Sequence, residues 1–157
     1  MNIARELVWT ALFNLLSPLS SFSTTSRRVQ LAQDGTPLVP IDQPALFLVE
    51  GHETTINDRR GVPPKHLLQA GIWIWAKIPD GLRAGQPDQT TPGATVLNPL
   101  LDAVETALAP DDVTENVLTL GGLVSHCWIE GETVKVVGDL NPDGQCFAAM
   151  PIRILVP

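Results

Sequence analysis

The stretch HLLQAGIWIWAKI, residues 66–78, decides how the rest of the chain is read. Ile72, Ile74, Ala76 and Ile78 alternate with Trp73, Trp75 and Lys77, and successive side chains of a strand point to opposite faces. Both faces are then largely apolar. That is the pattern of a central strand, or of one whose second face is covered by another chain.

Reading outward from this strand, residues 79–95 are rich in Pro, Gly and polar residues and read as a loop. Loops longer than about 12–15 residues tend to be functional or mobile. Asn98 is then expected to cap a second helix with Pro99 at its first position. Leu97, Leu100, Leu101, Val104 and Leu108 keep helical spacing, Asp102 lies in the first turn, and Pro110 stops the helix. Before the strand, residues 51–65 read as loop, residues 45–49 (ALFLV) as a compact strand, residues 33–43 as a proline-rich loop and residues 27–31 as a short strand.

At the start of the chain, residues 2–17 read as a helix ended by Pro18. Asn2, Glu6, Thr10 and Asn14 recur every four residues as a narrow wet stripe. The apolar stripe, with Leu7, Trp9 and Phe13 at its margins, is wider than the roughly 100° a helix on one core needs. Such a helix is either sunk deep in its own domain or shared between its own sheet and a neighbour. In the last third, residues 123–130 and 134–137 flank Gly131 and read as a hairpin. Asn141-Pro142-Asp143-Gly144 is a turn signal, and residues 146–156 form a final strand with Ile152, Ile154 and Val156 on one face. The expected class is α+β: one domain over residues 1–157, with a mostly antiparallel sheet of four to six strands and two helices on one face.

Composition limits function. The 157 residues are 44% hydrophobic and 17% charged, a globular rather than disordered balance. A net charge of −7, with Arg27-Arg28 and Arg59-Arg60 the only basic doublets, argues against a nucleic-acid grip. The same acidity suits a surface that DNA passes without sticking. The apolar run at residues 7–16 is interrupted by Thr10 and Asn14, lacks a following Ala-x-Ala site and is shorter than the ~20 residues of a membrane span, so a soluble, cytoplasmically made protein is expected.

The chemical inventory is thin. His52, His66 and His126 have no metal-ligand spacing, so neither metal nor cofactor is expected. His126-Cys127 is the one tempting pair, but neighbours on a strand point apart, so Cys127 reads as a buried structural thiol. With Cys146 it makes two cysteines, expected free and reduced. Gly121-Gly122 lacks phosphate-loop spacing and reads as a turn. The aspartates sit mostly beside Pro or Gly, where they bond locally. Arg27-Arg28 and Arg59-Arg60 are either salt-bridge donors between subunits or surface charges worth little each. No catalytic residues are expected.

Over nearly its full length the chain resembles bacteriophage tail terminator (tail completion, minor tail) proteins. The resemblance is carried by the order of several pieces: residues 7–16 followed by Arg27-Arg28, residues 43–48 (QPALFL), the strand at 72–78, residues 97–104 (LNPLLDAV), residues 119–122 (TLGG) ahead of a strand bearing His126, and residues 151–155 (PIRIL). It implies a non-enzymatic virion subunit that forms a hexameric ring on the head-proximal end of the tail tube. Such a ring ends tube polymerisation, docks the head-tail connector and lets DNA pass without specific binding. Its implied partners are its own copies, the tail tube protein and connector or neck proteins, with no membrane. Leu7, Trp9, Phe13, Arg27, Arg28, Trp73 and Trp75 are the subunit-interface candidates. Asp58, Arg59, Arg60, Arg83 and Asp88 are the candidates for axial contacts. A neck or head-completion protein of the same particle is the near alternative. A small ligand-binding module with a pocket lined by Trp73, Trp75 and Trp128, and a hydrolase using Cys127 or paired aspartates, are rivals of other classes.

Overall fold

In the computed structural model, which describes residues 4–29, 42–57, 59–79, 92–137 and 145–157, two helices lie on one face of a six-stranded sheet. The elements run α1 (Arg5–Leu16), β1 (Thr24–Ser26), β2 (Ala45–Ile56), β3 (Lys65–Lys77), α2 (Ala94–Ala107), β4 (His126–Ile129), β5 (Val134–Val136) and β6 (Gln145–Val156). The strand order is β1-β2-β3-β6-β4, with β5 also paired to β6. Only β1 runs parallel to its neighbour, so the sheet is mostly antiparallel and the class is α+β, as expected.

The alternation in residues 66–78 does place β3 at the centre, between β2 and β6. Leu68, Ala70, Ile72, Ile74 and Ala76 of β3 face the helices and are buried, as are Cys146, Ala148, Met150, Ile152 and Ile154 of β6. Val8, Trp9, Leu12 and Leu16 of α1 and Leu97, Leu100, Leu101 and Val104 of α2 complete this core. Glu6, Thr10 and Asn14 form the wet stripe of α1, all exposed. Among the described residues no helix is long and apolar enough to cross a membrane.

Four expectations are corrected. The first short strand is Thr24–Ser26, ahead of the expected 27–31, of which 27–29 are not strand and 30–31 lie outside the described residues: the β-branched threonines pair with Ala45 and Leu46, while Arg27 leaves the sheet for ion pairs with Glu6 and Glu50. The second helix begins at Ala94, so Asn98 is not its cap and Pro99 lies inside it. Starting earlier brings Leu97, 0% exposed, into the buried stripe, which offsets the backbone bond that Pro99 cannot donate. Residues 51–65 are not all loop, because β2 and β3 continue as a paired arm, with Glu53 opposite Leu68 and Ile56 opposite Lys65.

The fourth correction concerns Gly131. β4 and β5 do not pair with each other; both pair antiparallel with β6, Ile129 opposite Ile152 and Val134 opposite Ala149. They are two parts of one edge, interrupted opposite Pro151. The Pro151 carbonyl accepts from the Glu130 N–H at 3.2 Å. In an antiparallel ladder a residue's N–H and C=O point to the same side, so proline's missing donor falls on this edge and the chain detours there. Gly131 makes the detour at φ +113°, where a Cβ would stand 3.2 Å from Pro151 Cγ. The hairpin is therefore β5–β6; the Asn141-Pro142-Asp143-Gly144 turn signal between them lies outside the described residues.

Candidate interaction surface

The strand register determines what lies on the sheet face away from the helices. Phe47 pairs with Trp73, Trp73 with Ala149, Trp75 with Phe147, and Phe147 with Val136. All carry the parity opposite to the buried core residues, so they share the second face. There the Phe147 ring meets Trp73 edge-on at 5.9 Å and Trp75 at 4.5 Å, within the 4.5–7 Å range of favourable aromatic pairs. Trp73 folds back over Gly71, where a Cβ would stand 2.9 Å from the indole nitrogen. Ala45 and Phe47 are fully buried yet stand apart from the helix-side core. Toward the β5 edge the face opens: Val134 and Val136 are 52% and 54% exposed. The Trp75 Nε1 donor is buried without a hydrogen-bond partner.

Further along the same face His126 stacks on Trp128, with centroids 4.9 Å apart, and Trp128 Nε1 donates to Glu130 at 2.6 Å. His126 Nδ1 accepts from the Leu118 N–H at 3.2 Å, which leaves the ring proton on Nε2. Cys127 points the other way into the core, 1% exposed, and burial pushes its thiol up to about 12. A thiolate is therefore suppressed at neutral pH, and the pair is no nucleophilic dyad. Cys146 is likewise buried, its thiol donating to the Ala76 carbonyl at 3.2 Å.

A second assembly joins α1 to the arm. A bulge between Glu50 and Glu53 adds one residue to β2, so both glutamates point to the helix side. Arg5 donates two bonds to Glu53, at 2.6 and 2.5 Å, and His66 Nδ1 lies 3.1 Å from the same carboxylate. Arg27 bridges Glu6 and Glu50. The arginine hydrogen bonds hold the Glu6 and Glu53 carboxyls below their ordinary range. This network fixes the first turn of α1 and the root of the arm relative to each other.

The turn at Gly121-Gly122 is an anion cradle filled by the chain itself. Leu120, Gly121 and Gly122 all have positive φ, so the chain turns tightly enough for the Thr119 and Gly121 N–H groups to meet one carboxylate. The Asp111 carboxylate accepts from Thr119 N at 2.6 Å, Thr119 Oγ1 at 3.0 Å and Gly121 N at 3.0 Å. Those backbone bonds hold its carboxyl below the ordinary range.

No protein-family model matches this chain, and no curated protein matches it.

The candidate residues from the sequence divide three ways. Trp73 and Trp75 share the aromatic face, and Leu7, 57% exposed, lies outward on α1 with Leu15, 37% exposed. Trp9 is 6% exposed and belongs to the chain's own core, and Phe13 is half-buried against it. Arg27 is engaged within its own chain, whereas Arg28 is exposed. Arg59 and Arg60 lie exposed at the tip of the arm; Asp58, Arg83 and Asp88 lie outside the described residues. Phe147, Val134 and Val136 were not singled out in the sequence, although the alternation that buries Cys146, Ala148 and Met150 already put Phe147 on the opposite face. A cleft of about 460 Å³ between α2 and β5, with Asn98 held by Lys135 Nζ at 3.0 Å, is bordered by none of Trp73, Trp75 and Trp128. Among the described residues no three His, Cys, Asp or Glu side chains gather as a metal set.

Proposed function

We propose that this chain is a structural subunit of a bacteriophage tail: a tail terminator whose copies form a hexameric ring on the head-proximal end of the tail tube. The ring ends tube growth and presents the docking surface for the head-tail connector. The observation that carries this reading is the second apolar sheet face. The helices cover only one side, and the other gathers Phe47, Trp73, Trp75, Phe147, Val134 and Val136 with its outer margin half-exposed. Phe47 is itself 0% exposed, so what a neighbour would cover is the partly buried rings and the valine margin, at roughly 25 cal/mol per Å² of apolar area set against association costs of about 4–15 kcal/mol. The outward Leu7 and Leu15 of α1 add a smaller apolar strip. Cys127 suppressed by burial and Asp111 engaged by its own loop leave these groups structural work rather than chemistry.

The test is imaging of virus particles lacking this protein, joined to light scattering of the purified chain. Tails of uncontrolled length, or tails unable to join heads, and a soluble ring-sized species are expected. A single subunit that never associates and particles of normal form would refute the proposal. A protein needed for heads rather than tails would move the assignment to the neck of the same particle.

A further inference from the structure

Charge is unevenly spread along this chain. After Asp58, residues 59–79 hold Arg59, Arg60, Lys65 and Lys77 and no acid, whereas after Arg83, residues 84–134 hold eight acids and no Lys or Arg. The fold sets the exposed parts of these two stretches on opposite margins of the sheet, at the same end. The β2–β3 arm projects where Lys65 pairs with Ile56 and His66 with Val156. At that end, on the far side of β6, His126 opens β4 opposite Leu155. Residues 109–125 lie outside β4, since the Cys127 N–H donates to the Leu118 carbonyl at 2.9 Å.

Two independent features coincide on these segments. The first is unpaired charge: among the described residues Arg59, Arg60 and Glu115 have no ion-pair partner. The second is exposed apolar surface. Ile56 and Val62 on the arm are 38% and 48% exposed, and Val113 and Leu123 beyond β4 are 86% and 39% exposed. The acidic segment is also held ready. Asp111 is fixed by Thr119 and Gly121, and Asp112 Oδ1 accepts from the Thr114 and Glu115 N–H groups at 2.9 and 3.2 Å. A platform already ordered loses little freedom when a partner settles on it.

We infer that the basic tip of the β2–β3 arm of one copy docks on the acidic residues 109–117 of the next copy, head to tail. The inference rests on the ring reading above and names the contact that closes the ring. Arm and acidic segment occupy different margins of one subunit, so each contact leaves both copies with an unfilled half. That is the heterologous geometry that propagates until rotation closes it. Apolar contact between valines holds the pair, and opposite charge sets its register and excludes arm-to-arm and acid-to-acid encounters.

The test uses the full chain in three forms, sized by sedimentation or light scattering. One is unaltered, one carries Arg59→Glu and Arg60→Glu, and one carries Thr114→Lys and Glu115→Lys, which keeps Val113 in place. Circular dichroism melts confirm that each folds. Each reversed form should associate at least about tenfold more weakly than the unaltered chain. An equimolar mixture should regain assembly, because the acidified arm of one form fits the basic segment of the other. Assembly of the unaltered chain should weaken as salt rises from about 50 to about 500 mM. Reversed forms that assemble as tightly as the unaltered chain, or a loss that mixing does not restore, would overturn the arm contact and leave the ring reading standing. An unaltered chain that stays a lone subunit would overturn the ring reading, and this inference with it.

Discussion

Placing a charge at Val136 separates the stability of one subunit from its assembly. Val136 lies on the aromatic face opposite Phe147 and is 54% exposed. Full burial of a valine stabilises by about 1.5–3 kcal/mol, so a residue already half in water contributes about 1 kcal/mol to its own fold. For a chain of this length that is a melting shift of roughly 2–4 °C. Phe47 on the same face is 0% exposed, and Phe47→Ala should cost about 3–5 kcal/mol from transfer and cavity together. If neighbouring copies cover the open margin, Val136→Lys traps a charge in the contact, at a cost of several kcal/mol. At about 1.4 kcal/mol per decade, association falls roughly a hundredfold or more. Val136→Glu should do the same, because desolvation penalises either sign, and Val136→Ile should preserve assembly. The assay pairs thermal melts with sedimentation at several concentrations. Association by Val136→Lys as tight as that of the unaltered chain would refute the reasoning, for the face would then be open to solvent in the assembly as well.

Three further outcomes follow from local geometry. Gly131→Ala forces a side chain into φ +113° against Pro151 and should lower stability by about 1–3 kcal/mol, read from the urea midpoint; an unchanged midpoint would contradict the account of the β4–β5 detour. Cys127 should resist thiol reagents in the native protein at pH 8 and react at once in denaturant, since its thiol is buried and pushed up to about 12; fast native labelling counts against the strand placement. The lowered carboxyls of Asp111, Glu6 and Glu53 contribute stability that is full above the ordinary carboxyl range near pH 4–4.5 and is lost as pH falls through their lower folded values. Asp111→Asn should therefore be less stable at pH 7, by about 1 kcal/mol as for a lost cap, and the gap should close in strong acid; a pH-independent gap would rule out the carboxylate as the cause.

The core was legible because it rests on periodicity, which needs no knowledge of a partner. The two-residue alternation about Ile72 and the helical spacing of Leu97, Leu101, Val104 and Leu108 each name a buried face from one segment alone. The arm was not legible for the complementary reason. Residues 50–57 are all exposed, so no burial alternation marks them, and Gly51 and Pro63-Pro64 imitate loop composition. What makes Glu53–Ile56 a strand is the ladder offered by residues 65–68 across the hairpin. Gly51 has a specific task there: its missing Cβ would lie 3.0 Å from the Gln69 carbonyl oxygen, at the bulge that turns Glu53 toward Arg5.

The candidate surface was half legible for the same reason. Trp73 and Trp75 follow from alternation, because a strand that buries Ile72 and Ile74 on one side must present whatever lies between them on the other. Val134 and Val136 do not, since three exposed residues after a glycine carry no periodic mark. Only the register against β6 puts them beside Phe147 and Ala149, and that register depends on a proline. Pro151 offers this edge no donor, and it is opposite Pro151 that the chain detours at Gly131 and the edge divides into His126–Ile129 and Val134–Val136. A long regular edge is a template for uncontrolled pairing. The Pro151–Gly131 break shortens it and leaves a two-valine margin, a surface on which side chains rather than free backbone must select the partner.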